Sequence, residues 1–241
     1  MVNSKKVRNR VFFLIRLLLV LSIFTNLIIM SLVILQNENT RTVEIANEIT
    51  KRIQFIFWSI LTLILTFGSD YIEKKEQIDI PDMLEIVIVV FIYAGLYLSA
   101  RFNLYYKYFW WDDLLHTISG IIIGFIGSIV IYKINYKYSM DISPLLVALF
   151  SFTFAVTLGV IWEILEFTSD VLLGTANQKW DLPDTEILLG KPYQGSGLRD
   201  TMSDLIVDSL GALFTSIVTF FLFKNKKKRM LKEIENILEG K

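Results

Sequence analysis

The 241-residue chain is 54% hydrophobic and has a mean hydropathy of +0.52, outside the range of soluble globular domains. Its 24 basic and 24 acidic residues cancel and it holds no cysteine, which excludes disulfides, thiolate metal sites and the net positive charge of a nucleic-acid-binding protein. The basic residues gather at the two ends, in Lys5, Lys6, Arg8 and Arg10 and again in Lys224, Lys226, Lys227, Lys228 and Arg229, as membrane orientation and attraction to anionic lipid require.

A helix of about 20 mostly apolar residues crosses roughly 30 Å of hydrocarbon, and such runs recur along the whole chain. The first, 14–35, follows a basic segment as a secretory signal would. It ends, however, in Gln36-Asn37-Glu38-Asn39 in place of a small-residue cleavage site, and reads as a retained anchor. A polar connector, 36–52, leads to a second span at 53–69, and another, 70–83, to a third at 84–100. In the aromatic stretch 101–113, Tyr108, Phe109, Trp110 and Trp111 directly precede Asp112. This stretch reads as an interfacial aromatic belt, with a lipid-headgroup platform as the sharper alternative. A fourth span at 114–132, a connector at 133–143, a fifth span at 144–167, a long loop at 168–203 and a sixth span at 204–223 complete the membrane part. In the tail from Met230, Leu231, Ile234, Ile237 and Leu238 fall at helical spacing and suggest a short surface helix.

The expected fold is therefore an all-α polytopic bundle of about six transmembrane helices in the bacterial cytoplasmic membrane. Residues 1–83 form an N-terminal membrane region with two spans, 84–223 a core with four, and 224–241 a basic cytoplasmic tail. Six spans put both termini on one side. Sixteen of the 24 Lys and Arg fall on that side, so the positive-inside rule places both termini in the cytoplasm.

Ionisable residues recur at helical spacing on the last three spans. Asp112, His116 and Gly120 fall at i, i+4 and i+8; Glu163, Glu166 and Asp170 at i, i+3 and i+7; Asp200, Asp204, Asp208 and Gly211 repeat the pattern. Spans four and six run inward and span five outward, so all three sets belong to one membrane face. With Asp112, Asp170 and Asp200 at the interface, a rise of 1.5 Å per residue puts His116, Glu166 and Asp204 about 6 Å deeper, and Glu163 and Asp208 about 10 to 12 Å deep.

An ionised side chain at mid-bilayer costs about 2.5 to 3.5 kcal/mol, so four lipid-facing carboxylates approach roughly 10 kcal/mol. They are expected to face inward and be neutralised. The nearby cations are Arg101 and Arg199 at the outer boundary, with His116, and the shortfall implies bound metal, bound protons or both. One imidazole among many carboxylates suits Mg, Mn, Ca or Fe(II), with Zn also compatible. Helix capping is the plainer role for Asp112, Asp113 and Asp200. Gly120 and Gly211 fit close helix packing better than substrate contact.

The Asp112–His116–Gly120 spacing, Glu163 with Glu166, the stretch Leu173-Gly174-Thr175, and Asp200 with Asp204 before Gly211-Ala212 together resemble the YjdF-like family of uncharacterised bacterial multi-pass inner-membrane proteins. The likeness covers roughly residues 84–223. It departs in a longer stretch between Gly174 and Asp200 and in the acidic residue at 208. The resemblance implies a multi-pass fold and no activity.

Three functions compete. A metal-dependent hydrolase or transferase acting on a lipid or lipid-linked substrate would use Asp112, His116, Glu166, Asp200 and Asp204 as metal ligands and Glu163 and Asp204 in catalysis, with Arg199 and Asp208 toward substrate. In that reading the 168–199 segment, rich in Gly and Pro, serves as a lid or as an ordinary loop. The single histidine excludes three-His zinc hydrolases and two-His lipid phosphatases, and neither His-Glu-x-x-His nor Gly-x-Ser-x-Gly occurs. The Asp200, Asp204, Asp208 spacing is similar to that of CDP-alcohol phosphotransferases, but the accompanying Asp-Gly-x-x-Ala-Arg is missing. An ion or proton transporter would use the same acids as a relay, yet 121–131, 145–157 and 213–223 contain no ionisable residue to continue it. A membrane assembly protein would need the polar core only for structure.

Overall fold

A computed structural model describes residues 4–37, 42–76, 80–181 and 195–238, with the side chains of Glu76, Leu173 and 227–238 excepted. Among these residues every regular element is a helix: α1 (Ser4–Gln36), α2 (Val43–Leu65), α3 (Gly68–Glu76), α4 (Asp82–Ile92), a π-helical turn (Tyr93–Leu98), α5 (Ser99–Phe102), α6 (Leu104–Lys107), α7 (Trp110–Lys137), α8 (Pro144–Leu173) and α9 (Ser196–Leu238). Six helical runs are long and apolar enough to cross a membrane: 4–36, 43–75, 82–102, 110–137, 144–172 and 196–226. These are the six expected spans, each longer than its apolar run.

The extra length comes from capping and from the absence of breakers. The Thr42 hydroxyl accepts a hydrogen bond from the Ile45 amide at 3.3 Å and starts α2 well before its apolar part. Ser143 caps α8 at its expected start through the Leu146 amide at 3.2 Å, with Pro144 in the first turn, so the added length of α8 lies at its other end. Gly174, at φ 65°, ends α8 in the left-handed conformation. The loop expected at 168–203 is thus shortened from both ends, to the stretch between Leu173 and Ser196; 182–194, with Pro183, Gly190 and Pro192, lie outside the described residues. The surface helix expected from Met230 is a continuation of α9, because no Gly or Pro interrupts the chain before Leu238.

Contacts divide the chain into two compact units, Met1–Phe109 and Trp110–Lys241. In the first, α1 buries Phe12, Ile15, Leu19, Ser22 and Asn26, a seam that steps by three and four residues as helix packing requires. It meets Val89, Leu63, Tyr93 and Tyr97. The rest of α1 exposes Phe13, Leu17, Leu21, Phe24 and Ile28, an arrangement suited to lipid and unsuited to water. Ser22 and Ser59 hydrogen-bond at 3.1 Å across the seam. Arg8 pairs with Asp70 at 2.7 Å and Glu85 at 2.6 Å, and Arg16 reaches Asp70 at 3.0 Å.

In the second unit α7, α8 and α9 pack against one another with little bulk between them. Leu115, Ile122, Val147, Ala148, Ala155 and Ala212 are its buried apolar residues. Without a hydrophobic drive between helices in lipid, close backbone approach and hydrogen bonds must hold such a bundle. Ser151 donates to the Gly124 carbonyl at 2.5 Å, Ser216 to the Ala148 carbonyl at 2.8 Å, and Thr215 to the Ile121 carbonyl at 3.1 Å. A Cβ at Gly120 would overlap the Asp208 carbonyl oxygen, and one at Gly211 the Thr117 carbonyl oxygen. Gly120→Leu is accordingly expected to destabilise the protein by at least about 1–3 kcal/mol, read as a lowered melting temperature in detergent with the helical circular dichroism of the remaining protein unchanged.

Candidate functional site

The start of α7, the second half of α8 and the start of α9 meet at one end of the second unit, and each brings its acids there. On α7, Asp112 lies one turn before His116. The Asp112 Oδ1 is 3.6 Å from His116 Nε2, and the Asp204 Oδ2 of α9 is 3.9 Å from the same nitrogen. One ligand atom from each of the three residues lies within 4.8 Å of the others. Ligands at about 2.1 Å from an ion are roughly 3 to 3.5 Å apart, so a small inward movement would bring the three atoms to bonding distance.

Asp204 is 1% exposed, and its Oδ2 has no hydrogen-bond partner. Glu163 on α8 is 5% exposed. Neither of its oxygens has a hydrogen bond of good geometry, although Thr201 is a polar neighbour. Buried carboxylate oxygens are expensive to leave unmatched; these two residues leave three such atoms, and the one on Asp204 lies beside His116.

The pairings across helices follow layers. Nearest the helix starts, Asp112 and Asp200 share a cation. One turn in, His116 faces Asp204. One turn further, Ser119 donates to Asp208 Oδ1 at 2.6 Å, with Asp208 2% exposed and its carboxylate packed onto Gly159. That last contact corrects the expected depth of Glu163. Because Gly159 is level with Asp208, Glu163, one turn later on α8, stands level with Asp204 and not with Asp208. With α8 in this register Asp170 lies beyond the layer of Asp112 and Asp200, where it organises the following segment.

Asp170 accepts hydrogen bonds from Thr175 Oγ1 at 2.6 Å, the Asn177 amide at 2.8 Å and the Gln178 amide at 3.0 Å. Trp180 Nε1 donates to the Thr175 carbonyl at 2.8 Å, and Gln178 Nε2 to Thr201 Oγ1 at 2.6 Å. The folded-back segment inserts Lys179, whose Nζ lies 2.5 Å from Asp112 Oδ2 and 2.6 Å from Asp200 Oδ1. Burial opposes the charge on Lys179, but Asp112 and Asp200 outweigh it and hold the ammonium above its ordinary pKa. Sequence reasoning missed this cation: Lys179 stands in a connector with no periodicity to mark which way it faces. Ser119 and Thr201 were missed too, since small hydroxyl residues are common throughout the spans.

The other expected site residues lie as follows. Glu166 is half-buried and accepts from Trp162 Nε1 at 2.8 Å; it is not one of the three residues whose ligand atoms converge. Arg199 is exposed in the first turn of α9, beside Asp200. Asp113 accepts from Ser203 at 3.0 Å, a helix-to-helix tie. Among the described residues a second acidic group, Asp70, Glu73 and Glu85, has comparable spacing, but there Arg8 already pairs with Asp70 and Glu85, and Arg16 with Asp70.

Residues 17–225 match the family described as predicted membrane protein (DUF2238). The chain belongs to the DUF2238 family. A similar protein is an uncharacterized protein of Thermotoga maritima, 32% identical over 160 residues, which cover 65% of this chain and 69% of the relative. No solved structure matches. The DUF2238 assignment is consistent with the YjdF-like resemblance, though it does not establish that name. It identifies a membrane protein and names no activity, so the chemistry of this DUF2238 member must be argued from its own residues.

Proposed function

We propose that this protein is a metal-dependent hydrolase or transferase of the bacterial plasma membrane, acting from the outer leaflet on a lipid or lipid-linked substrate. The supporting observation is the buried Asp204 Oδ2, which has no hydrogen-bond partner and faces His116 Nε2 at 3.9 Å with Asp112 beside it. A divalent cation would satisfy that oxygen and offset the acidic excess.

Asp112, His116 and Asp204 would hold the ion. Mg, Mn, Ca, Fe(II) and Zn are all compatible with two carboxylates and one imidazole. Three protein ligands leave positions open for water and for a phosphoryl or carbonyl oxygen, the arrangement of a catalytic centre rather than a structural one. When bound, the metal polarises that oxygen and acidifies the water. Glu163, level with Asp204, is placed to take the proton as general base. Asp200 and Asp208 would line the upper and lower layers, Glu166 would stand behind Glu163, and Arg199 at the rim would pair with a phosphate. The outward orientation rests on the excess of Lys and Arg on the other side of the spans.

Turnover is read by reconstituting the protein in vesicles and offering glycerophospholipids and polyprenyl phosphates with Mn²⁺ or with EDTA. Release of a headgroup or phosphate is expected with Mn²⁺ and is abolished by EDTA. A cation or proton flux through the same vesicles, with no product formed, would replace the enzyme reading by transport.

A further inference from the structure

The acid cluster contains a cation of its own. Asp112 divides its two oxygens: Oδ1 faces His116 Nε2 at 3.6 Å, and Oδ2 receives the Lys179 ammonium at 2.5 Å. Asp200 completes the ammonium's seat at 2.6 Å. The Lys179 side chain is only 13% exposed, so little water screens it. Its backbone lies at φ 47°, in the left-handed region that residues with a Cβ rarely occupy. The segment is held to α9 by Gln178 on Thr201 and to α8 by Asp170.

We propose that Lys179 is a built-in counter-cation, and that a divalent ion captured by Asp112, His116 and Asp204 expels its ammonium and releases residues 178–180 from the mouth of the site. This rests on the metal-centre reading above. The ion and the ammonium would stand on opposite oxygens of one carboxylate, where like charges repel strongly because water is scarce. The strained backbone at Lys179 relaxes on release, which favours the exchange. In the metal-free protein Lys179 stabilises Asp112 and Asp200, so the bundle stays folded while the site waits for its ion. Metal binding and access to the mouth are then one equilibrium, in which the ligand shifts the population by its preference for the open form.

The test is Mn²⁺ titration of the purified full chain in detergent, comparing the parent with Lys179→Gln and Lys179→Arg. Lys179→Gln is expected to bind Mn²⁺ at least about tenfold more tightly than the parent, and Lys179→Arg, which keeps the charge, about as the parent does. A second readout does not depend on removing the lysine. The chain has no cysteine, so Gln178→Cys supplies a single thiol; it gives up the tie to Thr201 but keeps those of Asp170 and Lys179, and its maleimide labelling is expected to quicken by about fivefold when Mn²⁺ is added. If the parent binds Mn²⁺ through His116 and Asp204 while Lys179→Gln binds no more tightly, or the labelling rate does not change, expulsion is overturned and the metal centre stands. If neither the parent nor Lys179→Gln binds Mn²⁺, both proposals fall.

Discussion

Asp204→Asn is expected to lower affinity for a divalent cation by at least about a hundredfold and, in the same protein without metal, to raise stability. The two effects have one cause. Asp204 is 1% exposed, and its Oδ2 lacks a hydrogen-bond partner. An uncompensated buried carboxylate costs about 1–3 kcal/mol even after the surroundings adjust, and an amide of the same shape removes the charge. A metal ligand replaced by a neutral group loses most of its attraction for a divalent ion. Differential scanning fluorimetry in EDTA should therefore show Asp204→Asn melting several degrees above the parent, and addition of Mn²⁺ should raise only the parent. A residue kept for packing would behave otherwise, with stability falling and metal response unchanged. This is the stability–function conflict expected where a site holds charges ready for a ligand.

Glu163→Gln is expected to reduce turnover by about 10² to 10⁴-fold, the span usual for loss of a general base, while leaving metal content near that of the parent and, like Asp204→Asn, raising the melting temperature in EDTA. Glu163 is buried and level with Asp204, but it is not among the three residues whose ligand atoms converge. A group beside the metal rather than on it can accept a proton from a bound water. Glutamine keeps the volume and removes the basicity. If Glu163→Gln instead releases the metal, Glu163 is a ligand and the base must be sought elsewhere, with Glu166 the next carboxylate on the same helix.

The membrane spans could be read from composition because hydrocarbon imposes a length and admits few charges. The ends of the helices could not, since their last turns lie where polar residues cost nothing. The continuation of α8 is hidden because Thr168, Ser169 and Asp170 break the apolar run before Val171, Leu172 and Leu173, and the start of α2 after Thr42 precedes Asn47, Glu48, Lys51 and Arg52. Within the site, Asp112 and His116 were legible because one turn of helix separates them. Asp204 could be placed with them only through topology: two helices running one way and one running the other.

Lys179 was hidden because it reaches the acids by way of a capped turn. The turn depends on Gly174 taking a left-handed conformation and on one aspartate accepting three hydrogen bonds. Asp170 itself has helical spacing from Glu163 and Glu166, and that spacing alone would assign it to the acid layer. Its work is instead to fold the segment that delivers the lysine. Helical periodicity reports which residues share a stripe; it does not report where a stripe leaves the bundle.

Metal content of protein purified after equilibration with Mg²⁺, Mn²⁺, Fe²⁺ and Zn²⁺, measured by plasma mass spectrometry beside His116→Ala and Asp204→Asn, decides whether these three side chains form a centre. The parent should hold about one ion per chain, as three ligands closing on a single point imply, and each variant less than about a tenth of that. A parent without metal, or variants as fully loaded as the parent, would show that the buried acids of α7 and α9 serve another purpose.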